Sequence, residues 1–386
     1  MKLITRFISY QRTTKISRNL LTLSLLLAFS IPGISQEKNH GVNIGFVYPL
    51  STHGVSAGAY SNIFSLNAIA GVSREERAFT VAGISNIIYD GASGFQVAGI
   101  SNHIGGLAEG FKAAGIVNLY QSGTGFQAAG MANLAKRNIT GMQAAGFMNK
   151  AGDANGFQVA GFINMARHTH GMQAAGYINT ARNVRGTQAA GYINIAEDVN
   201  GAQVAGFINI AKKVKGVQIA GLINIADSSE YPIAVINIIK NGEKWIGVTT
   251  DDNLTTLLTF RSGSKRLYGI IGVGYNFQNS KHVFARQFGM GAHLITSNNF
   301  RLNTEGTVIS LENFKRGEFA KFSLSVIPSY KFGRLEIFGG PALNFVNTNT
   351  EEGRKLISNY IWNDVSQHNR LNGLYIGYTA GVHMSL

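Results

Sequence analysis

Alternation is the dominant pattern in this chain. From Val199 to Ala211, the residues Asn200, Ala202, Val204, Gly206, Ile208 and Ile210 fall on one side of an extended backbone. Val199, Gly201, Gln203, Ala205, Phe207, Asn209 and Ala211 fall on the other, because successive side chains of a strand point to opposite faces. The first set is apolar apart from Asn200; the second is small, amide-bearing and aromatic. The division recurs from Gly186 to Ala196 and from Gly171 to Ala181. Gln173 with Asn179, Gln188 with Asn194 and Gln203 with Asn209 thus share a face with Tyr177, Tyr192 and Phe207. No stripe at 3.6-residue spacing competes, and the Ala-Gly pair at the centre of each segment disfavours a helix. The pattern predicts one strand per segment.

The segment is one copy of a unit restated ten times between Phe79 and Ala226. Restarts fall at 79, 95, 111, 126, 142, 157, 172, 187, 202 and 217, so the spacing begins at 16 and settles at 15. A short fixed period marks a repeat architecture. Charged and polar pairs gather between copies, as at Lys136-Arg137, Arg167-His168, Arg182-Asn183, Glu197-Asp198 and Lys212-Lys213, each with a Gly shortly after; this is turn chemistry. Two architectures satisfy the pattern. In an antiparallel meander each copy is a strand of about 10 residues, the length with which a tilted strand crosses the hydrocarbon of a bilayer. In a β-solenoid each copy is one coil, and equivalent Gln and Asn residues stack into ladders. Unbroken parity favours the meander, whereas Val184, Val199 and Val214 beside the turns suit the inward corners of a solenoid. The fold expectation is therefore all-β: an antiparallel meander forming an outer-membrane β-barrel, or alternatively a solenoid of 15-residue coils followed by a smaller C-terminal barrel. Gly176, Gly191, Gly206 and Gly221 recur at mid-copy, where glycine weakens a strand, so each is expected to admit a close neighbour or a bend.

The flanks read differently. Residues 36–78 hold two strand candidates, Val42 to Tyr48 and Phe64 to Val72, leading directly into the ten repeats of 79–226. Residues 227–386 open with a decayed copy, Ile233-Ala-Val-Ile-Asn237, and continue as alternating strands of ordinary sequence. In the last of these Leu374, Ile376, Tyr378, Ala380, Val382, Met384 and Leu386 face one way. Pro328 and Pro341 sit inside apparent strands, which implies edges, bulges or kinks. The long connection from Asn347 to Asn372 places Leu356, Ile357, Tyr360 and Ile361 at helical spacing and carries Trp362. Tyr360 and Trp362 are its candidate contact residues, with a loop folded over a barrel mouth as the plainer reading.

Residues 1–35 change the compartment. Lys2, Arg6, Arg12, Lys15 and Arg18, with no acidic residue, precede the apolar run Leu20 to Phe29 and then Gly33-Ile34-Ser35. This order predicts a cleaved secretory signal peptide, the run being too short for a membrane span. Its removal lowers the formal charge from +14 to about +9. That charge is spread along turns and lacks the one-sided clustering of a nucleic-acid surface; outer-membrane lipid is the expected partner. With no cysteine, an exported chain has no disulfide framework and no Cys-ligated metal.

Little catalytic chemistry is visible. His168 and His170 flank Thr169 but have no counterparts in other copies, and Asp251-Asp252-Asn253 lacks the spaced ligand set of a calcium loop and reads as a solvated turn. There is no phosphate loop. No catalytic, cofactor or metal residue is assigned. The candidates are the amide and aromatic positions Gln173, Asn179, Gln188, Asn194, Gln203, Asn209, Tyr177, Tyr192 and Phe207, as a structural ladder or a binding surface.

The unit Gly201-Ala-Gln-Val-Ala-Gly-Phe-Ile-Asn-Ile-Ala211, the leading Tyr48-Pro-Leu-Ser-Thr52 and the closing strands resemble the surface repeat proteins of Leptospira and Bacteroidetes. The resemblance covers nearly the whole mature chain and implies a surface or outer-membrane setting without an assigned activity. Thr80 and Lys112 depart from it by replacing Gln, so a Gln ladder would be weakest at that end. The functional expectation is a non-enzymatic outer-membrane protein with a structural or passive-pore role. The alternative is an adhesin using the repeat face or the 347–372 loop on an extracellular or host ligand.

Overall fold

The computed structural model describes residues 38–39, 41–278, 283–312, 319–366 and 370–386; the expected signal peptide lies outside them. Two all-β bodies follow one another. The first is a parallel β-solenoid of about twelve coils, and the second is a closed eight-stranded antiparallel barrel. The solenoid includes the leading strands, since Val42–Val47 pairs in parallel with Tyr60–Ser73, and it extends through the decayed copy to Ile239.

The antiparallel meander expected for the repeats does not form; the solenoid alternative does. Each copy makes two strands instead of one, as in Asp198–Ala205 and Ile208–Ile210, and each pairs in parallel with its equivalent 15 residues away. The corner that the alternation concealed is Gly206-Phe207. Val199, Gln203 and Ala205 point inward, the chain turns through these two residues, and Asn209 and Ala211 point inward again. A corner consuming two residues leaves parity in phase, so a bent coil shows the same alternation as a straight strand. Parity does slip once per coil at Lys212-Lys213, between buried Ala211 and buried Val214, as an odd period requires.

The central glycines are fixed by the stacking. A Cβ at Gly206 would lie 2.1 Å from the carbonyl oxygen of Gly191, and the same collision recurs at Gly176, Gly191 and Gly221. At a second corner Gly201 adopts φ 137°, a left-handed region that other residues enter at a cost.

The barrel strands are β1 (Glu243–Asp251), β2 (Thr255–Gly263), β3 (Leu267–Asn276), β4 (Phe284–Thr296), β5 (Phe300–Glu312), β6 (Phe319–Phe332), β7 (Leu335–Thr348) and β8 (Leu371–Ser385). Each pairs antiparallel with the next, and β1 closes the ring against β8 from Trp245↔Ser385 to Asp251↔Thr379. Pro328 and Pro341 lie within β6 and β7, where the ladder between those strands lapses from Ser325↔Ala342 to Ser329↔Phe338. Proline, lacking an N–H, is tolerated where pairing is interrupted. In the long connection the helix is confined to Glu351–Lys355, capped by the Thr350 hydroxyl accepting from the Gly353 N–H. Leu356 and Ile357 then turn inward against Leu257, Leu311, Phe319 and Val346, and Trp362–Val365 adds a short strand outside the ring on β8. The connection folds over one mouth of the barrel.

Candidate functional site

Inside the solenoid the repeated amides are wholly buried and bonded to one another. Gln173, Asn179, Gln188, Asn194, Gln203 and Asn209 are each 0% exposed. Asn179 Nδ2 donates to Asn194 Oδ1 at 3.0 Å, Asn194 to Asn209 at 2.9 Å, and the chain of bonds runs unbroken from Asn86 to Asn237. From Asn86 to Asn209 each Asn also meets a carbonyl of the following coil, as Asn194 meets that of Val204 at 2.7 Å. The glutamines point the other way: Gln203 Nε2 donates to Gln188 Oε1, and Gln188 to Gln173, both at 2.9 Å. The two columns of amide dipoles are therefore antiparallel and oppose each other along the axis. Buried polar groups without partners cost about 1–3 kcal/mol each, and along the Asn column every copy supplies the partner for the next.

The Gln column has defined ends. Gln143 donates to the Tyr120 hydroxyl at 2.6 Å in place of Gln127, whose Oε1 is left without a donor. At the other end Pro232 stands opposite Gln218, whose Oε1 is likewise orphaned. Between Gln96 and Gln127 the column holds Lys112, fully buried, with its ammonium donating to the carbonyls of Gly94 and Glu109. Loss of hydration pushes this lysine down to about 7, with Glu109 only partly opposing. At the first coils Glu76 accepts from Asn62, Ser65 and Thr80, and burial raises its carboxyl above the usual range. The sequence placed the departures at Thr80 and Lys112; it did not single out Glu76 or Tyr120, whose only signal was a charged or aromatic residue at an inward register position.

The aromatic candidates do not share the amide face. Tyr177, Tyr192 and Phe207 belong to the corner, where the backbone turns them outward, and they stack with Phe147 and Phe162 at centroid separations of 4.6–5.0 Å. Phe207 is 47% exposed. The sequence grouped them with the glutamines because the two-residue corner is invisible to parity. The remaining exterior is also apolar along this side: Val204, Ile219 and Leu222 are exposed, while Arg182, Arg185, Asn200 and Lys215 lie toward the opposite edge.

The barrel has the same polarity with different chemistry. Val248, Leu258, Val273, Phe288, Leu324, Ile337, Leu343, Ile376 and Val382 face outward and are exposed. Within, Arg261 makes a two-pronged pair with Glu305 (2.8 and 3.1 Å) and lies 4.8 Å over the Phe338 ring, and Tyr268 donates to Glu305 at 2.9 Å. Arg301 holds Glu243 by two bonds of 2.7 and 3.0 Å. Lys321 contacts Asp251, whose carboxylate also accepts from the N–H groups of Asn253 and Thr255. The Asp251 turn is thus not the solvated turn expected from the sequence: Asp251 and Asn253 are buried. One cavity beside these groups, among Thr249, Gln287, Thr307 and Asn344, has a volume of about 20 Å³, on the order of one water.

Of the loop candidates, Tyr360 is half-buried with its ring edge-on to Tyr375, and Trp362 is exposed. Among the described residues no cluster of three or more His, Asp or Glu side chains could hold a metal ion, and no helix is long and apolar enough to cross a membrane, which has no bearing on strands. No family model, curated protein or solved structure matches the chain.

Proposed function

We propose that this chain is a non-enzymatic outer-membrane protein in which the barrel is a lipid-embedded anchor and the solenoid a rigid structural arm. The observation that carries the reading is the polarity of the barrel. A largely apolar exterior, around an interior of paired charges, suits hydrocarbon outside and is costly in water. The expected export signal and the resemblance to surface repeat proteins point the same way. The Leu356–Ile357 plug supports an anchor over a conduit, and the repeated amides are mostly spent on one another, which suits a structural role. Fractionation of cells expressing the full chain tests this: recovery in the outer-membrane fraction, with a heat-dependent shift on a denaturing gel, is expected. Recovery as a soluble protein sinks the reading.

A second reading, ligand binding by the repeat face, is favoured by one observation, the exposed stack from Phe147 to Phe207. Flat aromatic surfaces of this kind suit the apolar faces of sugars. Loss of glycan or cell binding in a Tyr177→Ala/Tyr192→Ala/Phe207→Ala variant would support it; a wild-type protein that binds neither would remove it.

A further inference from the structure

The two mouths of the barrel differ, and the solenoid is attached to a particular one. At the mouth where β1 begins and β8 ends, the connections are 264–266, 297–299 and 333–334, two or three residues each. At the other mouth 252–254 is short, but the remaining connections, 277–283, 313–318 and 349–370, are all longer. The last solenoid coil is seated on the first mouth. Asn237 N–H donates to Ser262 Oγ at 3.1 Å, Ser264 Oγ donates to the Glu230 carbonyl at 3.0 Å, and Arg266 bonds the Tyr231 hydroxyl while lying 5.0 Å over its ring. A Cβ at Gly269 would meet the carbonyls of Ala234 and Val235 at 2.5 and 2.6 Å, so β3 is shaped for this contact. Lys244 Nζ also donates to the Ile239 carbonyl at the entry to β1.

Membrane barrels carry tight turns on their periplasmic side and longer loops outside. Resting on the membrane reading above, we infer that the solenoid projects into the periplasm, and that the surface met from outside the cell is the loop-rich mouth bearing Ile361, Trp362 and Asp364. Connectivity supports the same direction. Eight strands bring both ends of the barrel to one side, so an external solenoid would require everything before Glu243 to be carried across the bilayer. The kind of partner changes accordingly. An external ligand would contact the Trp362 hairpin, whereas the aromatic and aliphatic ridge of the solenoid is presented to periplasmic components.

The absence of cysteine makes single-cysteine labelling clean. Asn200→Cys reports an exposed position on the solenoid and Asp364→Cys an exposed position at the opposite mouth. In intact cells a membrane-impermeant maleimide should label Asp364→Cys at least tenfold more than Asn200→Cys, and permeabilising the outer membrane should bring the second up to the first. Labelling of Asn200→Cys in intact cells, alone or together with Asp364→Cys, overturns the orientation. Fractionation of the same cells separates the two levels: chain in the membrane fraction with Asn200→Cys labelled refutes only the direction, and chain in the soluble fraction refutes the membrane reading beneath it.

Discussion

An inward polar side chain of the solenoid finds its partner in an identical residue 15 positions away, as Asn179 finds Asn194; in the barrel Arg261 reaches Glu305 across 44 residues and Lys321 reaches Asp251 across 70. Both bodies bury rows of polar side chains and expose many apolar ones. They differ in whether satisfaction is local and neutral or distant and ionic. Neutral amides need no counter-charge, so a coil can be added wherever the previous one ends. Arg261 on β2 and Glu305 on β5, like Lys321 on β6 and Asp251 on β1, meet only when strands distant in the chain are brought together around the barrel, which ties these charges to closure.

The sharpest way to break this contrast is to orphan one charge. Arg261→Ala should destabilise the barrel by about 3–5 kcal/mol, because the buried Glu305 loses its counter-ion; Arg261→Met/Glu305→Met should recover much of that loss. Thermal unfolding in detergent, followed by the gel-mobility shift, is the measurement. Equal damage from the single and double variants would show that the pair is packing and not charge compensation.

In the solenoid the largest effect is expected from the corner. Gly206→Val should cost about 3 kcal/mol through overpacking against Gly191, whereas Ala202→Val, on the outward side of the same coil, should stay within about 0.5 kcal/mol. Circular-dichroism melting compares them, and indistinguishable curves would mean that the stack relaxes around a side chain.

Removing one rung should cost less. Asn194→Ala deletes a donor and an acceptor in mid-column and should lower stability by about 2 kcal/mol, with hydrogen-exchange protection lost in the coils on either side and retained in the barrel. Loss of protection throughout the chain would contradict local satisfaction.

The smallest effect should be a gain. Lys112→Gln offers a neutral amide in place of a buried ammonium and should add about 1 kcal/mol near neutral pH. Its pH dependence sharpens the point. The folded lysine is held down to about 7, so between that value and the ordinary lysine value the unfolded chain binds more protons and wild-type stability rises with pH. The Lys112→Gln variant should lack that component, so its advantage in melting temperature shrinks as pH rises from 7 and passes to the wild type before pH 10. A constant difference would show that the lysine stays charged in the fold.

Much of the solenoid was legible because each copy repeats its own partner. The Gln and Asn columns, the inward Val184, Val199 and Val214, and the crowded glycines follow from periodicity alone. The Gly206-Phe207 corner was not, since an even number of corner residues preserves alternation, and with it went the direction in which Phe207 points. In the barrel the face opposite Leu374, Ile376 and Tyr378 in the last strand was visible from alternation. That this face is the interior depends on closure of β1 on β8, a pairing between residues more than a hundred positions apart that no local pattern encodes.

In-register stacking of the Asn column has a genetic consequence. Because coils 187–201 and 217–231 present the surfaces that coil 202–216 already joins, excising those 15 residues in phase would bring Gln188 against Gln218 and Asn194 against Asn224, shortening the arm by about 4.8 Å. Unequal recombination between tandem copies, which adds or removes whole periods of coding sequence, would therefore change reach in discrete steps while leaving both ends intact. Gln127 and Gln218, whose Oε1 acceptors are orphaned, mark where the Gln column meets residues that do not match the unit, Lys112 and Pro232.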